Sequence, residues 1–173
     1  LDRARESAPE SLHVWWLGQS GFLVQWRENR LLLDPYLSDS LTRKYAATDK
    51  PHVRMTERVV DPSRLSGVGL VTATHAHTDH LDAETLIPLV HSNPGLRLVF
   101  PEAIRSVAAA RSGLPQESLI GLDAPSPGRS AGIGSSQKAT VGPFQIQAVP
   151  AAHEAVDCDP MGRLSCLGFI IRV

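Results

Sequence analysis

The chain has 173 residues, 42% of them hydrophobic and 20% charged, with a formal net charge of -1. That is enough for one compact domain with a real core, and it lacks the strongly basic balance of a nucleic-acid binder. No apolar run reaches the roughly 18 residues of a membrane span, and two cysteines without C-x-x-C spacing, Cys158 and Cys166, make no disulfide scaffold. A cytoplasmic location is therefore expected.

The sequence opens without Met on a polar stretch, 1–11, read as a tail. Leu12 to Leu17 and Gly21 to Trp26 are aromatic and β-branched runs separated by Gly18-Gln19-Ser20, which predicts a hairpin. A third strand, Arg30 to Asp34, completes a meander, and Pro35 stops it. Trp15, Trp16 and Trp26 are expected to pack within these strands. Tyr36 to Ser66 reads as a long irregular connection, and Gly69 to Thr74 as a buried strand running into His75.

Asp82 is placed to cap a helix over Ala83 to His91, with a kink or late start at Pro88. Leu96 to Phe100 predicts another strand. Pro101 opens a helix with Ile104, Val107 and Ala108 on one face and Gly113 as its stop. Asp123 to Ser136 is rich in Gly, Pro and Ser and is expected to be a mobile loop. Phe144 to Val149 alternates as a strand and delivers His153, and Leu164 to Val173 reads as a last strand, apolar on both faces. Strands alternating with helices predict an α/β layered fold.

The chemistry concentrates in Thr74-His75-Ala76-His77-Thr78-Asp79-His80. In extended backbone His75 and His77 point to one side, so two imidazoles can meet one cation. Asp79 and His80 lie just beyond, where a turn can aim them at a second. Imidazole with carboxylate suits zinc, manganese or iron. The position, after a buried strand, is where ligands bind in α/β folds. His52, Arg54 and Arg58 could flank the site and hold an anionic group, although solvated loop charges are the simpler reading. His13 and His91 read as surface or hydrogen-bonded core histidines.

His75-Ala76-His77-Thr78-Asp79-His80 after a hydrophobic strand resembles the signature of the metallo-β-lactamase superfamily. Trp16-Leu17-Gly18-Gln19-Ser20-Gly21-Phe22 and Leu32-Leu33-Asp34-Pro35-Tyr36 are similar to the opening of its L-ascorbate-6-phosphate lactonase-like branch. The phospholipase D acting on N-acylphosphatidylethanolamine is a more distant relative in style. The resemblance runs from Leu12 to Val173. It implies a four-layer αβ/βα sandwich, with residues 12–173 covering its first half and the start of the second.

By this resemblance His75 and His77 are ligands of a first metal, with His153 as their third partner, and Asp79 and His80 are ligands of a second. Three imidazoles leave one position open for water. Asp79 is also the catalytic candidate, orienting that water or carrying its proton. Asp34 resembles an acid at a strand end near the metal loop. It would orient a ligand histidine without ligating, unless it is only an Asp-Pro turn residue. The family's bridging Asp and final His, expected after the last strand, have no counterpart here, so only the first metal is expected to be held tightly.

The implied function is hydrolysis by a metal-activated water, with one or two divalent ions, zinc or manganese first. By the resemblance a small lactone or ester, phosphorylated or not, is the expected substrate. The alternatives are a phosphodiesterase of the same superfamily and a metal-binding module without turnover. Di-iron redox chemistry is disfavoured, because that branch carries an acid where His77 stands. Expected partners are a small-molecule substrate and a second copy of the chain, met through an open sheet edge, rather than nucleic acid or a membrane span.

Overall fold

The computed structural model describes residues 11–126 and 136–173. Residues 127–135 of the expected loop, with the mobility predicted for it, lie outside the described residues, as does the tail up to residue 10.

β1 (Leu12–Trp16), β2 (Phe22–Trp26) and β3 (Asn29–Leu33) form the expected antiparallel meander. The first turn needs glycine at position 18, where φ is +84° and an added Cβ would lie 2.5 Å from Thr56 Oγ1. β4 (Val68–Thr72), β5 (Arg97–Pro101) and β6 (Leu119–Leu122) then join β3 in parallel. Among the described residues the order is β1-β2-β3-β4-β5-β6, and β7 (Lys138–Val141), β8 (Phe144–Pro150) and β9 (Leu167–Arg172) form a second, antiparallel sheet.

Neighbouring residues on the central strands feed two different cores. Leu32, Val71 and Leu98 face a core shared with Leu86 and Leu89 of α2 (Ala83–Ser92) and Ala108 of α3 (Arg105–Ser112). Leu31, Leu70 and Val99 face the second sheet, against Phe144, Ile146 and Leu167. A strand buried on both faces reads as a continuous apolar run, as Leu31-Leu32-Leu33 does. The described layers are thus helices, a large sheet and a small sheet, consistent with the first half and opening strands of the expected sandwich.

Several local expectations are corrected. The connection after Tyr36 contains a short helix, α1 (Ser40–Tyr45), whose Leu41 N–H donates to Tyr36 Oη at 2.9 Å. α2 starts on time and runs through Pro88. The Asp82 carboxylate accepts hydroxyls from Ser40 at 3.0 Å and Thr85 at 2.6 Å instead of helix N–H groups. α3 is preceded by a 3-10 turn, Glu102–Ile104, and ends at Gly113 with φ +66°. β6 and β7 were not anticipated; each has four residues, too few for a period to show. Trp16 does not pack inside: it is 50% exposed, on the opposite face of β1 from Trp15. Among the described residues no helix is long and apolar enough to cross a membrane.

Candidate metal centre

The site forms where both sheets send chain to one end of the molecule. Asp34 follows β3 and His75 follows β4, both at carboxyl ends of parallel strands. β8 ends at Pro150, three residues before His153, and Leu167 at the start of β9 donates its N–H to Thr74 O at 3.0 Å. Residues about eighty apart in sequence therefore meet through the packing of the two sheets.

His75, His77 and His153 each offer a ring nitrogen, and these atoms lie within 4.8 Å of one another. Ring centroids are 4.7 Å apart for His75 and His77, 5.1 Å for His75 and His153, and 4.6 Å for His77 and His153. His75 is only 8% exposed, and its buried Nε2 makes no hydrogen bond among the described residues. An unpaired buried nitrogen is costly unless something binds it. Three converging imidazoles around such an atom form a donor set that a divalent cation fits. Asp79 and His80 stand beside this cluster rather than in it. Asp79 Oδ2 is 3.8 Å from His80 Nε2, and the His80 ring is 4.1 Å from that of His75.

Asp34 ties these rings together. Its Oδ1 accepts from Thr74 N–H at 3.1 Å, and its Oδ2 accepts from His80 Nδ1 at 2.6 Å and from the Thr74 hydroxyl. Having given its proton to Asp34, the Thr74 hydroxyl can only accept from His75 Nδ1, 3.0 Å away. In the neutral form both histidines thereby carry the proton on Nδ1 and the lone pair on Nε2. Burial, with the nearby His80 and His77, pushes the His75 pKa down to about 4, so the ring is neutral and competent to ligate. Burial also opposes charge on His80, but the hydrogen bond and charge of Asp34, with Asp79, outweigh it and raise that pKa.

Other residues at the site carried no signal in the sequence. Thr74 belongs to the histidine segment, but nothing in the sequence shows that its hydroxyl joins Asp34 to His75. Ser20 Oγ donates to Asp79 O at 2.7 Å, linking the first turn to the histidine loop. Arg111 of α3 reaches the same loop from the other side, donating from Nη1 to Ala76 O at 2.5 Å and Leu81 O at 3.1 Å. Only the fold shows that these residues are neighbours.

Two cavities flank His77. One, of about 460 Å³, is lined by all three clustered histidines together with Ile104, Val156 and Cys166. Burial, then the charge of Asp34, pushes the Cys166 thiol pKa up, which keeps it protonated. The other, of about 320 Å³, lies between α1, α3 and the histidine loop. Neither is lined by His52, Arg54 or Arg58. Arg54 instead donates to Ser38 O at 2.8 Å and lies over the Tyr36 ring, and His52 pairs with Thr42. Arg54 is therefore not a solvated loop charge: its side chain is largely buried and braces the connection after Tyr36.

Residues 13–172 match a protein family described as "Beta-lactamase superfamily domain". An uncharacterized protein of Mycobacterium tuberculosis is 30% identical over 143 residues, which make up 82% of this chain and 34% of that protein. A Mycobacterium bovis protein, also uncharacterized, aligns with the same figures. The chain thus spans about a third of the length of these curated relatives. Among solved structures, CmlA, a diiron beta-hydroxylase from Streptomyces venezuelae, shares the fold with a TM-score of 0.64 at 18% identity, over 95% of this chain and 28% of that one.

Proposed function

Because the chain belongs to the beta-lactamase superfamily, we propose that it is a metal-dependent hydrolase in which His75, His77 and His153 hold a divalent ion. The observation that carries this reading is the orphaned, buried Nε2 of His75 at the meeting point of three imidazoles. A divalent ion there supplies Lewis acidity, polarising an electrophile and acidifying a water. The chain's own residues prepare that chemistry. Asp34, acting directly on His80 and through Thr74 on His75, fixes both rings at Nδ1, and the lowered His75 pKa leaves its Nε2 with a lone pair. Asp79, anchored by Ser20 at its backbone carbonyl, presents a carboxylate that orients a water and accepts its proton at Oδ2, and with His80 it forms the start of a second ion site. Ile104 and Val156 make part of one side of the larger cavity apolar.

Zinc or manganese is the expected ion, and a small lactone or ester the expected substrate, with a phosphodiester second. The test is elemental analysis of purified protein followed by a panel of lactones, esters and phosphodiesters. We expect about one to two divalent ions per chain, lost in His77→Ala, and turnover of at least one class. Full metal occupancy in His77→Ala would remove the site. Tightly bound iron with redox turnover and no hydrolysis would replace the hydrolase by oxygenase-like chemistry, the kind named for CmlA.

A further inference from the structure

The cavity between α1, α3 and the histidine loop has a character of its own. Lys44 and Arg111 line it, with Tyr45 and Leu41 from α1, and it opens on His77 and Asp79. The exposed Lys44 ammonium makes no ion pair among the described residues and lies 5.0 Å from the Tyr45 ring centroid. Its neighbour Arg43 is, by contrast, engaged by Glu84. Both hydrogen bonds of Arg111 leave from Nη1, so its Nη2 and Nε make none among the described residues. The lone carboxylate in the lining is Asp79, which faces the ion site. The cavity on the other side of His77 is different: Glu154 and Asp157 line it along with apolar residues, and they repel an anion.

From this juxtaposition we infer that the cavity between Lys44 and Arg111 is a subsite for an anionic oxyacid group, a phosphate or carboxylate, borne by the substrate. The inference rests on the hydrolase reading above and adds the substrate's charge and its direction of binding. Arg111 offers a planar fork of donors and Lys44 a mobile point charge, a pairing suited to oxyanions. His77 and Ala76 belong to both cavities, so a substrate with its anion in this one lays its reacting centre over the ridge at His77 and its remainder toward Ile104 and Val156. A volume of about 320 Å³ accommodates such a group on a small molecule. Lys44 and Arg111 are thus specificity residues, while the breaking bond lies elsewhere.

The probe is inorganic phosphate, titrated calorimetrically into the metal-loaded protein, with acetate as the carboxylate arm. Lys44 is exposed on a short helix, so its variants should fold. Lys44→Ala should weaken phosphate binding about tenfold, the scale of one charge-assisted hydrogen bond. Lys44→Glu should weaken it further and Lys44→Arg should restore it, all at unchanged metal content. Where the Lys44 variants weaken binding, phosphate tighter than acetate assigns a phosphoryl group and the reverse a carboxylate. In kinetics, Lys44→Ala should raise KM for a phosphate-bearing ester more than for its neutral counterpart. Phosphate affinity equal in wild type, Lys44→Ala and Lys44→Glu would mean that phosphate meets the metal alone, and would overturn the subsite. If the protein hydrolyses neither ester, the hydrolase reading fails by itself, and the phosphate titrations still decide the subsite.

Discussion

Asp34 adopts a left-handed backbone conformation, φ +41°, that few residues other than Gly, Asn and Asp take at low cost. Strain held at one position calls for a compensating contact, and here the contacts are the carboxylate's bonds to Thr74 and His80. Asparagine tolerates the same φ and nearly the same shape but cannot accept at both oxygens. We therefore expect Asp34→Asn to fold normally and to bind metal roughly 10–100-fold more weakly. Competition with a chelating dye measures the affinity, and unchanged affinity would reduce Asp34 to a turn residue. Thr74→Val tests the shorter link. It keeps the volume but removes the hydroxyl that fixes the His75 tautomer, so metal affinity should fall there as well, by about tenfold.

At the scale of elements, α3 acts on the histidine loop through one side chain. Arg111 lies in its last turn, and Gly113 ends the helix in the left-handed region with open space around its Cα. The two carbonyls that Arg111 holds, Ala76 and Leu81, bracket His77, Asp79 and His80. Arg111→Met leaves both without their charged donor. Urea unfolding should show a loss of about 1–3 kcal/mol, and metal affinity should fall with it as the loop loosens. Arg111→Lys should lie between, since an ammonium can donate to both carbonyls as Nη1 does but sits on a shorter side chain. A variant with full stability and full affinity would show that Ser20 and the loop's own turn hold the site without the helix.

Over the whole molecule, the large sheet is wider than the small one. β1 lies at the edge of the large sheet, with Leu12 52%, Val14 55% and Trp16 50% exposed. Among the described residues β9 pairs with β8 alone, and its other edge is open, with Ile170 46% exposed. An apolar face beside an unpaired strand edge invites another strand. Residues 1–173 should therefore associate as concentration rises, and Val14→Lys with Ile170→Lys should suppress this. Sedimentation velocity over a concentration series reads it directly, and a wild-type chain that stays monomeric throughout would contradict the expectation.

The sequence by itself determined the layered α/β class, the opening meander, the strand that carries the histidines and the two helices behind them. It did so because apolar period, glycine and proline act within a few residues of themselves. His75 and His77 were legible for the same reason: an i, i+2 pair after a strand states its own geometry. β6 and β7 were not legible, being only four residues each and stabilised by neighbours in the sheet. Trp16 was misjudged, because whether a strand's face is covered depends on how far the second sheet extends. Tertiary structure alone decided that Thr74 links Asp34 to His75, that Arg111 clamps the loop, and that Lys44 lines a cavity beside Asp79. Those contacts join residues far apart in the chain or turn on side-chain direction, and only the packing of the sheets and helices brings them within hydrogen-bonding or cavity-lining reach.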